Sequence, residues 1–373
     1  MPSAPSPLRV AMTVEQAWQP VPGGSGTYVA EMSRELAERV DLTGVSAWHR
    51  EPAPPDWAPS GRLRRVPLPR VALYEAWQRV RLPRIEWTAG AVDLVHATTW
   101  AVPPTARPLV VSVHDLAFLA EPDHFTARGV GFFTRALEHV RRRADAVLVP
   151  STHTRDACIE VGIPAERLHV VPLGSRLPAT SPQDVADFRT RHGLDRPYVL
   201  WTGTVEPRKN LPAVLAGYAL LRRTRPDVDL VLVGPSGWGD VDVPTGASVH
   251  RLGMLSRVDL ARAYAGAAVF CFPSLREGFG LPVLEAMSVG VPVVTSAGTS
   301  CAEVAGDAGL LVDPHDHEAL AAALETACGP AGPGLAAASR ARAAEFSWTA
   351  TAEQTLEVYR SVADRQRAAT ACR

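Results

Sequence analysis

Short apolar runs alternate with amphipathic helical spacing along most of the 373 residues. This alternation predicts an α/β architecture with parallel sheets. Strands of the first half are predicted at Leu8–Val14, Leu42–Trp48, Leu94–His96, Leu109–Val113 and Ala146–Pro150, with residues 170–175 closing the series. The helices between them are predicted at Thr27–Arg39, Arg128–Arg143 and Thr154–Val161.

A second series of the same kind follows residues 176–197, a polar, turn-rich segment that we interpret as a linker. Its strands are predicted at Tyr198–Gly203, Leu230–Val233, Val249–Leu252, Val269–Phe272, Val291–Thr295 and Gly309–Val312. Its helices are predicted at Leu211–Thr224, Asp259–Ala265, Leu281–Val289 and Glu318–Ala327. A last helix, Thr349–Ala363, has no strand after it, so it either caps the second series or packs back onto the first.

The chain length also favours two domains. We predict two doubly wound, Rossmann-like domains at residues 1–175 and 176–345, followed by a terminal helix and tail at 346–373. Ligands of such sheets bind beyond the carboxyl ends of the strands, so two facing domains would place a site in the cleft between them.

Composition narrows the possible functions. The formal net charge of -1 gives no general attraction to nucleic acid. No apolar stretch is long enough to span a bilayer, and residues 8–14 are too short for a signal core. The five cysteines form no CxxC motif, which is typical of reduced thiols and predicts a cytoplasmic protein.

The richest motif is SLREGFGLPVLEAMSVGVPVV, residues 274–294. It predicts a strand, a glycine turn and a helix, with Glu277 in the loop and Glu285 one turn inside the helix. Exposed amides at a helix start favour an anion, whereas carboxylates accept hydrogen bonds from hydroxyls. A nucleotide sugar offers both groups. Taken singly, one glutamate would be read as a partner of the helix N-terminal dipole and the other as an ordinary helix residue.

Lys209 is the only lysine, against 37 arginines. With Arg208 it follows the strand that ends at Gly203 and precedes the helix from Leu211. Two cations there can neutralise a diphosphate without a metal. A lysine is a compact point charge, whereas arginine is a broad fork, so Lys209 is predicted to reach an oxygen through a narrow gap. The alternative is a solvated charge pair.

Two weaker signals follow strands of the first half. Gly23, Gly24 and Gly26 precede a predicted helix but do not match the dinucleotide-binding spacing. They are a diphosphate contact or an ordinary turn. His114 follows an apolar strand at its carboxyl end, where it either binds a sugar or caps a loop.

Taken in order, these motifs resemble the family-4 retaining glycosyltransferases with the GT-B fold. The resemblance rests on Gly23–Gly26, His114, EPRKN, LGMLS, the 274–294 motif and DAGLLVDPHDHEAL. It covers nearly the whole chain, and HDL with LWTGTVEPRKNL is most similar to the branch of GDP-mannose-dependent mannosyltransferases.

The resemblance implies a metal-independent hexosyl transfer, with mannose from GDP-mannose, to a glycan, lipid-linked or small-molecule acceptor in the first domain. It implies that the base lies near residues 251–255 and that the last helix crosses back to the first domain. The implied catalytic residues are His114, Arg208, Lys209 and Glu277. The implied donor-binding residues are Gly23, Gly24, Gly203, Arg208, Lys209, Gly253, Met254, Leu255, Glu277, Gly278, Phe279, Gly280, Leu281 and Glu285.

Other interpretations remain open at this level. A UDP-sugar donor, a nucleotide-sugar epimerase and a non-catalytic nucleotide-sugar-binding protein share parts of the pattern. The DVD repeats at 227–229 and 240–242 and the 313–318 loop are not read as metal sites. Residues 61–84 hold seven arginines with Tyr74 and Trp77, which forms either a solvated face or a peripheral contact with the inner membrane face.

Overall fold

A computed structural model describes residues 7–122, 125–237, 241–243 and 246–371. The chain divides into two compact units. The first unit comprises Met1–Leu173 and Trp348–Arg373, and the second comprises Gly174–Ser347. The sequence-based boundaries, after residues 175 and 345, lie close to these divisions.

Both units contain a parallel sheet. In the first unit the strands are β1 (Arg9–Thr13), β2 (Asp41–Ser46), β3 (Arg62–Arg65), β4 (Leu94–Ala97), β5 (Leu109–Ser112), β6 (Ala146–Val149) and β7 (Leu168–Val170). In the second unit they are β8 (Tyr198–Thr202), β9 (Asp229–Val233), β10 (Val249–Gly253), β11 (Val269–Phe272), β12 (Val293–Ser296) and β13 (Leu310–Val312).

The helices lie between these strands. Those of the first half are α1 (Gly23–Ala37), α2 (Arg70–Glu75), α3 (Glu86–Ala89), α4 (Ala117–Ala120), α5 (Ala127–Arg143) and α6 (Thr152–Glu160). Those of the second half are α7 (Pro182–Arg191), α8 (Leu211–Thr224), α9 (Arg257–Ala265), α10 (Leu281–Ser288), α11 (Ser300–Ala305), α12 (His317–Cys328), α13 (Gly332–Ala343) and α14 (Trp348–Ala371).

The strand orders are β3-β2-β1-β4-β5-β6-β7 and β10-β9-β8-β11-β12-β13. In each sheet the order in which strands are added therefore reverses once, between β1 and β4 in the first unit and between β8 and β11 in the second. We call this point the reversal of the sheet. Ligands of open α/β sheets bind outside the carboxyl ends of the strands at such a reversal. Most strand side chains are buried, because helices cover both faces of parallel sheets.

The terminal helix α14 belongs to the first unit and packs on α1. Its residues Trp348 and Tyr359 are buried, and Tyr359 hydrogen-bonds to His96 of β4. The packing of α14 on the first sheet resolves the two possibilities left by the sequence. No helix of the described residues has both the length and the apolar character needed to cross a bilayer.

Several sequence predictions of local structure were wrong. Helix α1 begins at Gly23 and not at Thr27, so the glycines form its first turn. The strand predicted within 170–175 lies earlier, as β7, and the following residues are irregular. The predicted linker contains helix α7, which starts with a capping box at Ser181 and Asp184. Strand β3, an exposed edge strand rich in arginine, was also not predicted.

Candidate active site

The loops after β8 and β11 bring the predicted cations and one predicted carboxylate together. Lys209 Nζ lies 2.5 Å from Glu277 Oε1, and Arg208 Nη1 lies 3.0 Å from the same oxygen. Ser274 Oγ donates to it as well, at 2.9 Å. Because β8 and β11 are neighbours, their carboxyl ends meet at the reversal of the sheet. This placement explains how residues 68 positions apart come into contact.

The cations are not free, which the sequence did not show. Lys209 is paired with Glu277, and Arg208 Nη2 also lies 2.7 Å from Glu206 Oε1. Lys209, Glu206 and Glu277 are nearly buried. Two positive and two negative side chains therefore form a compact cluster with no net formal charge.

Glu277 is held ionised by this cluster. Burial on its own raises a carboxyl pKa, but the charges of Lys209 and Arg208 and the hydrogen bonds from Lys209 and Ser274 outweigh it and lower the pKa to about 2. The contacts from all three side chains reach Oε1; among the described residues none is made to Oε2. Oε2 is thus placed to accept a hydrogen bond from a ligand hydroxyl.

The surroundings of Lys209 suit an ammonium better than a guanidinium. Its Nζ lies 4.8 Å from the centre of the Phe272 ring, on the side of a buried strand. An ammonium over an aromatic face is attracted by the ring, and its compact shape fits beside a carboxylate in the same small space. The structure thus supplies a physical reason for a lysine at this position.

Glu285 lies in a different environment. Its Oε2 accepts a hydrogen bond of 3.2 Å from Tyr264, whose hydroxyl also contacts Thr202 Oγ at 3.0 Å. Desolvation raises the Glu285 pKa to about 7, although the Arg257 charge and the Tyr264 hydroxyl lower it. Near neutral pH this carboxyl is both a donor and an acceptor of hydrogen bonds, whereas Glu277 only accepts.

A cavity of about 390 Å³ lies at the carboxyl ends of β8, β9 and β10. It is lined by Trp201, Val205, Leu211, Leu232, Val233, Gly234, Pro235, Ser236, Val243, Arg251, Gly253 and Met254. Gly253 and Met254 were predicted donor-binding residues, whereas Leu255 lies in the loop after β10 and is not among the lining residues.

Glycines at three adjacent strand ends shape this edge of the sheet. Gly203 follows β8, Gly234 follows β9 and Gly253 ends β10. A Cβ on Gly234 would lie 1.9 Å from the Gly203 carbonyl oxygen, so only glycine fits there. The main chains at Gly203 and Gly234 are therefore in direct contact, with no side chain between them. Glycine has the same use at sites where a ligand approaches the main chain closely.

Trp201, one of the residues that line the cavity, carries a buried polar atom. Its side chain is 1% exposed, and its indole nitrogen has no hydrogen-bond partner among the described residues. A buried N–H without an acceptor costs free energy, so this donor is suited to an acceptor atom of a ligand. The sequence did not point to Trp201, because an aromatic residue in an apolar strand cannot be told from a core residue.

The remaining predicted residues of the 274–294 motif lie in the loop and first turn of α10. Gly278 and Phe279 are in the loop, Gly280 is the N-cap with a φ of 101°, and Leu281 starts the helix. Phe279 is buried, with its ring edge-on to Phe346 at 6.0 Å. Its ring is therefore core, and only its backbone can serve a ligand.

In the first unit, His114 follows β5 and is partly buried. Its Nε2 lies 3.0 Å from the Thr98 carbonyl oxygen, which can only accept, so Nε2 carries the proton. Burial lowers the His114 pKa, although Thr98 and Asp115 oppose this. In the neutral imidazole Nδ1 is then an acceptor. The Tyr28 ring stands edge-on to His114, 4.8 Å away.

Gly23 and Gly24 are exposed at the start of α1. Their amides belong to the orphan donors of a helix N-terminus. Gly26 is fixed by packing, because a Cβ there would lie 2.2 Å from the Pro22 Cβ. The sequence predicted glycines ahead of a helix, and the structure places Gly23 as the first residue of that helix.

A buried carboxylate near the carboxyl end of β1, Glu15, was not predicted. Glu15 lies two residues after β1, accepts from the Ala47 amide at 2.7 Å and contacts His49 Nε2 at 2.9 Å. His49 in turn stacks on Trp18. A charged residue placed immediately after an apolar strand was the available signal.

Two of the three segments that were not read as metal sites have structural contacts. Asp229 starts β9 at its amino end, away from the cavity, and contacts His250 Nε2 at 3.2 Å. Asp240 lies outside the described residues. Asp316 caps α12 by accepting from two backbone amides. Within the described part of the chain no group of three metal-ligating side chains was found.

Comparison with known proteins agrees with this arrangement. Residues 22–177 match the family described as Glycosyltransferase Family 4, and residues 196–329 match Glycosyl transferases group 1. The chain is 34% identical over 314 residues to O-antigen chain mannosyltransferase B of Escherichia coli, which covers 80% of this chain and 81% of the relative. It is 30% identical over 400 residues to MMP α-(1→4)-mannosyltransferase of Mycolicibacterium hassiacum, covering 90% and 94%.

Solved structures share the fold. Anabaena HepE in complex with UDP and glucose has a TM-score of 0.73 at 20% identity, covering 95% of this chain and 100% of that one. WaaG, a glycosyltransferase involved in lipopolysaccharide biosynthesis, has a TM-score of 0.71 at 19% identity, covering 94% and 99%. At such identities the likeness concerns the fold alone.

Proposed function

The chain belongs to the glycosyltransferases that carry the Family 4 and group 1 domains, with the GT-B fold, and we propose that it transfers mannose from GDP-mannose to a hydroxyl acceptor. Two relatives of at least 30% identity are named mannosyltransferases, which supports mannose as the sugar. The acceptor in this proposal is a glycan, a lipid-linked sugar or a small molecule.

One observation carries the proposal: the buried Lys209–Glu277–Arg208 cluster lies at the sheet reversal of the unit that also holds the cavity. An ammonium has three N–H donors. One reaches Glu277, and the others are suited to the oxygens of a diphosphate. Because the cluster has no net formal charge, it would recognise phosphate by directed hydrogen bonds and not by general attraction.

The proposed roles follow from the two carboxyl environments. Glu277, ionised through Oε1 contacts, would accept from a hydroxyl of the transferred sugar through Oε2. Glu285 would bind the ribose hydroxyls. The base would enter the cavity, where the Trp201 indole would donate to one of its acceptors.

We propose a retaining, same-face substitution without a metal. The bond between the sugar C1 and the phosphate oxygen breaks, and a bond from C1 to the acceptor oxygen forms on the same face. The acceptor proton passes to the departing phosphate. Lys209 and Arg208 would stabilise the negative charge that develops on the leaving group, the kind of effect that electrostatic catalysis depends on. His114 would bind a hydroxyl through Nδ1 on the acceptor side.

A UDP-sugar is the second candidate donor, since the HepE structure holds UDP and glucose. A thermal-shift and product-release panel of GDP-mannose, UDP-glucose and UDP-N-acetylglucosamine separates the candidates, because bound ligand stabilises the folded chain by RT ln(1 + [L]/Kd). We expect the largest shift and GDP release with GDP-mannose. Binding without release would indicate a non-catalytic protein, and no binding by any donor would reject the proposal.

We further propose that the protein is cytoplasmic and makes peripheral contact with an anionic inner membrane through residues 61–84. Three apolar side chains of this segment are at least 45% exposed, namely Val71, Val80 and Leu82, and Trp87 beside it is 68% exposed. Arg64 and Arg84 are exposed, whereas Arg81 is internal, donating to the carbonyls of Trp77, Val102 and Pro103. Exposed cations beside apolar side chains suit an anionic lipid surface.

A further inference from the structure

A chain of buried polar side chains runs through the first unit. Tyr359 Oη of α14 lies 2.6 Å from His96 Nδ1 of β4. His96 Nε2 lies 2.8 Å from Ser112 Oγ of β5, which lies 2.8 Å from Tyr28 Oη of α1. All four residues are at most 3% exposed. Three hydrogen bonds thus connect four elements that are far apart in the sequence.

None of the groups in this chain is charged near neutral pH. Burial lowers the His96 pKa to about 3 and raises the pKa of both tyrosines. The neutral imidazole has one donor and one acceptor nitrogen, so it can pass a single direction of hydrogen bonding from Tyr359 to Ser112. These four hydrogen-bonded side chains therefore fix one another's orientation and carry no charge.

The far end of this chain contacts His114. The Tyr28 ring meets the imidazole edge-on at 4.8 Å, with 75° between the planes. Trp348 of α14 packs on the same tyrosine, 6.3 Å between ring centres. Besides Tyr28, the Thr98 carbonyl holds His114 through Nε2. The orientation of Nδ1 thus depends on where Tyr28 is held.

We propose that Tyr359, His96 and Ser112 are positioning residues that act through Tyr28 to set the orientation of the His114 imidazole. The part of this proposal that concerns catalysis rests on the proposed function, because it takes His114 to contact the reacting hydroxyl. The terminal helix then contributes to sugar transfer without touching a substrate.

A row of buried polar side chains contributes little net stability to a core. Apolar side chains of similar volume can stabilise a core equally well, whereas a fully satisfied network specifies one arrangement. Here β4 and β5 are otherwise largely apolar, and the chain replaces ordinary core packing at the strands that precede Thr98 and His114. This placement favours a role in positioning.

The test compares Tyr359→Phe and Ser112→Ala with a matched control, Thr355→Val. Thr355 lies on the same helix, is fully buried, and has a hydroxyl without a partner among the described residues. Each change removes a buried hydroxyl. Only the first two interrupt the row of hydrogen bonds, so an effect that follows from removing any buried hydroxyl would appear in all three variants.

The first readout is the ¹³C NMR titration of labelled histidine, with the His114 signal identified from a His114→Gln spectrum. The titratable groups that face His114 are Asp115 along the chain, His96 of β4 and Tyr28 of α1. We expect Tyr359→Phe and Ser112→Ala to shift this signal and to move its midpoint upward, because a loosened ring gains contact with water. Thr355→Val should leave it unchanged.

The second readout is sugar transfer. We expect kcat to fall about tenfold in the two chain variants with an unchanged donor KM, since misplacing a reacting group slows the chemical step. An unmoved His114 signal in Tyr359→Phe would overturn the positioning proposal even in an active enzyme. If the His114 signal shifts in Tyr359→Phe but the wild-type protein transfers no sugar, the proposed function is refuted and the positioning proposal stands.

Discussion

Glu277 Oε1 lies 2.5 Å from Lys209 Nζ, in a pair whose side chains are each about 10% exposed. The pair joins the loops after two neighbouring strands at the point where the second sheet reverses. Breaking a buried pair by removing one partner leaves the other charge uncompensated. The pair is therefore both a structural link and the centre of the proposed donor site.

Glu277→Gln is expected to destabilise the second unit in a pH-dependent way. The folded-state pKa of about 2 lies below the ordinary value of 4.5, so the carboxylate contributes stability above pH 4.5. That contribution is lost as the pH falls from 4.5 towards 2. Urea midpoints measured along this range should converge between variant and wild type. Glu345→Gln, at an exposed ion pair, is the control, and a gap independent of pH would contradict the prediction.

Glu285→Gln should show the opposite dependence. The Glu285 pKa is raised to about 7, so the folded state favours the protonated form, and stability falls as the pH rises from 4.5 through 7. The amide variant has no such proton to lose. We expect it to gain stability relative to wild type across this range, while exposed Glu325→Gln gains none. Parallel pH–stability curves for Glu285→Gln and wild type would show that the carboxyl is not desolvated.

Trp201→Phe is expected to weaken donor binding with little effect on turnover. The change removes one hydrogen-bond donor from the cavity wall and keeps an aromatic ring. A hydrogen bond contributes about 1 kcal/mol, so the donor KM should rise roughly fivefold at unchanged kcat. Tyr198→Phe on the same strand, whose hydroxyl donates to Ala263 outside the cavity lining, is the control. An equal KM for both variants would exclude Trp201 from base recognition.

Membrane contact through residues 61–84 is tested by co-sedimentation with vesicles. We expect binding to anionic but not to neutral vesicles, because exposed arginines are attracted to anionic lipids. The assay uses low salt, since salt screens this attraction. The double variant Arg64→Ser/Arg84→Ser removes two of the cations and should not bind. Trp48→Ser removes an aromatic side chain that is 56% exposed outside the segment and serves as the control. A protein that stays in the supernatant with anionic vesicles at low salt would end this proposal.

The sequence predicted most of the two sheets because buried parallel strands are short, apolar and bounded by helices. It could not predict β3, which is exposed and arginine-rich, nor the helix inside the supposed linker, which has weak apolar spacing. The motifs placed Lys209 and Arg208 in one strand-to-helix loop and Glu277 in another, and the structure brings them together.

The sequence could not show how these charges are paired. A pattern locates Glu277 in a loop, but only three-dimensional neighbours reveal that Lys209 and Ser274 share one of its oxygens. Trp201 and His96 were missed for a related reason. Both lie in apolar strands, where a polar ring atom has no distinctive spacing and only its partner, or the lack of one, gives it meaning.

The most direct measurement is nucleoside diphosphate release from GDP-mannose by wild type, Lys209→Ala and Lys209→Arg, with exposed Arg223→Ala as the control. Removing a cation aimed at the leaving group should lower turnover at least ~100-fold in Lys209→Ala. Lys209→Arg should also be impaired, because a guanidinium is broader than the ammonium that lies beside both the Phe272 ring and Glu277. Release within threefold of wild type in Lys209→Ala would contradict the account.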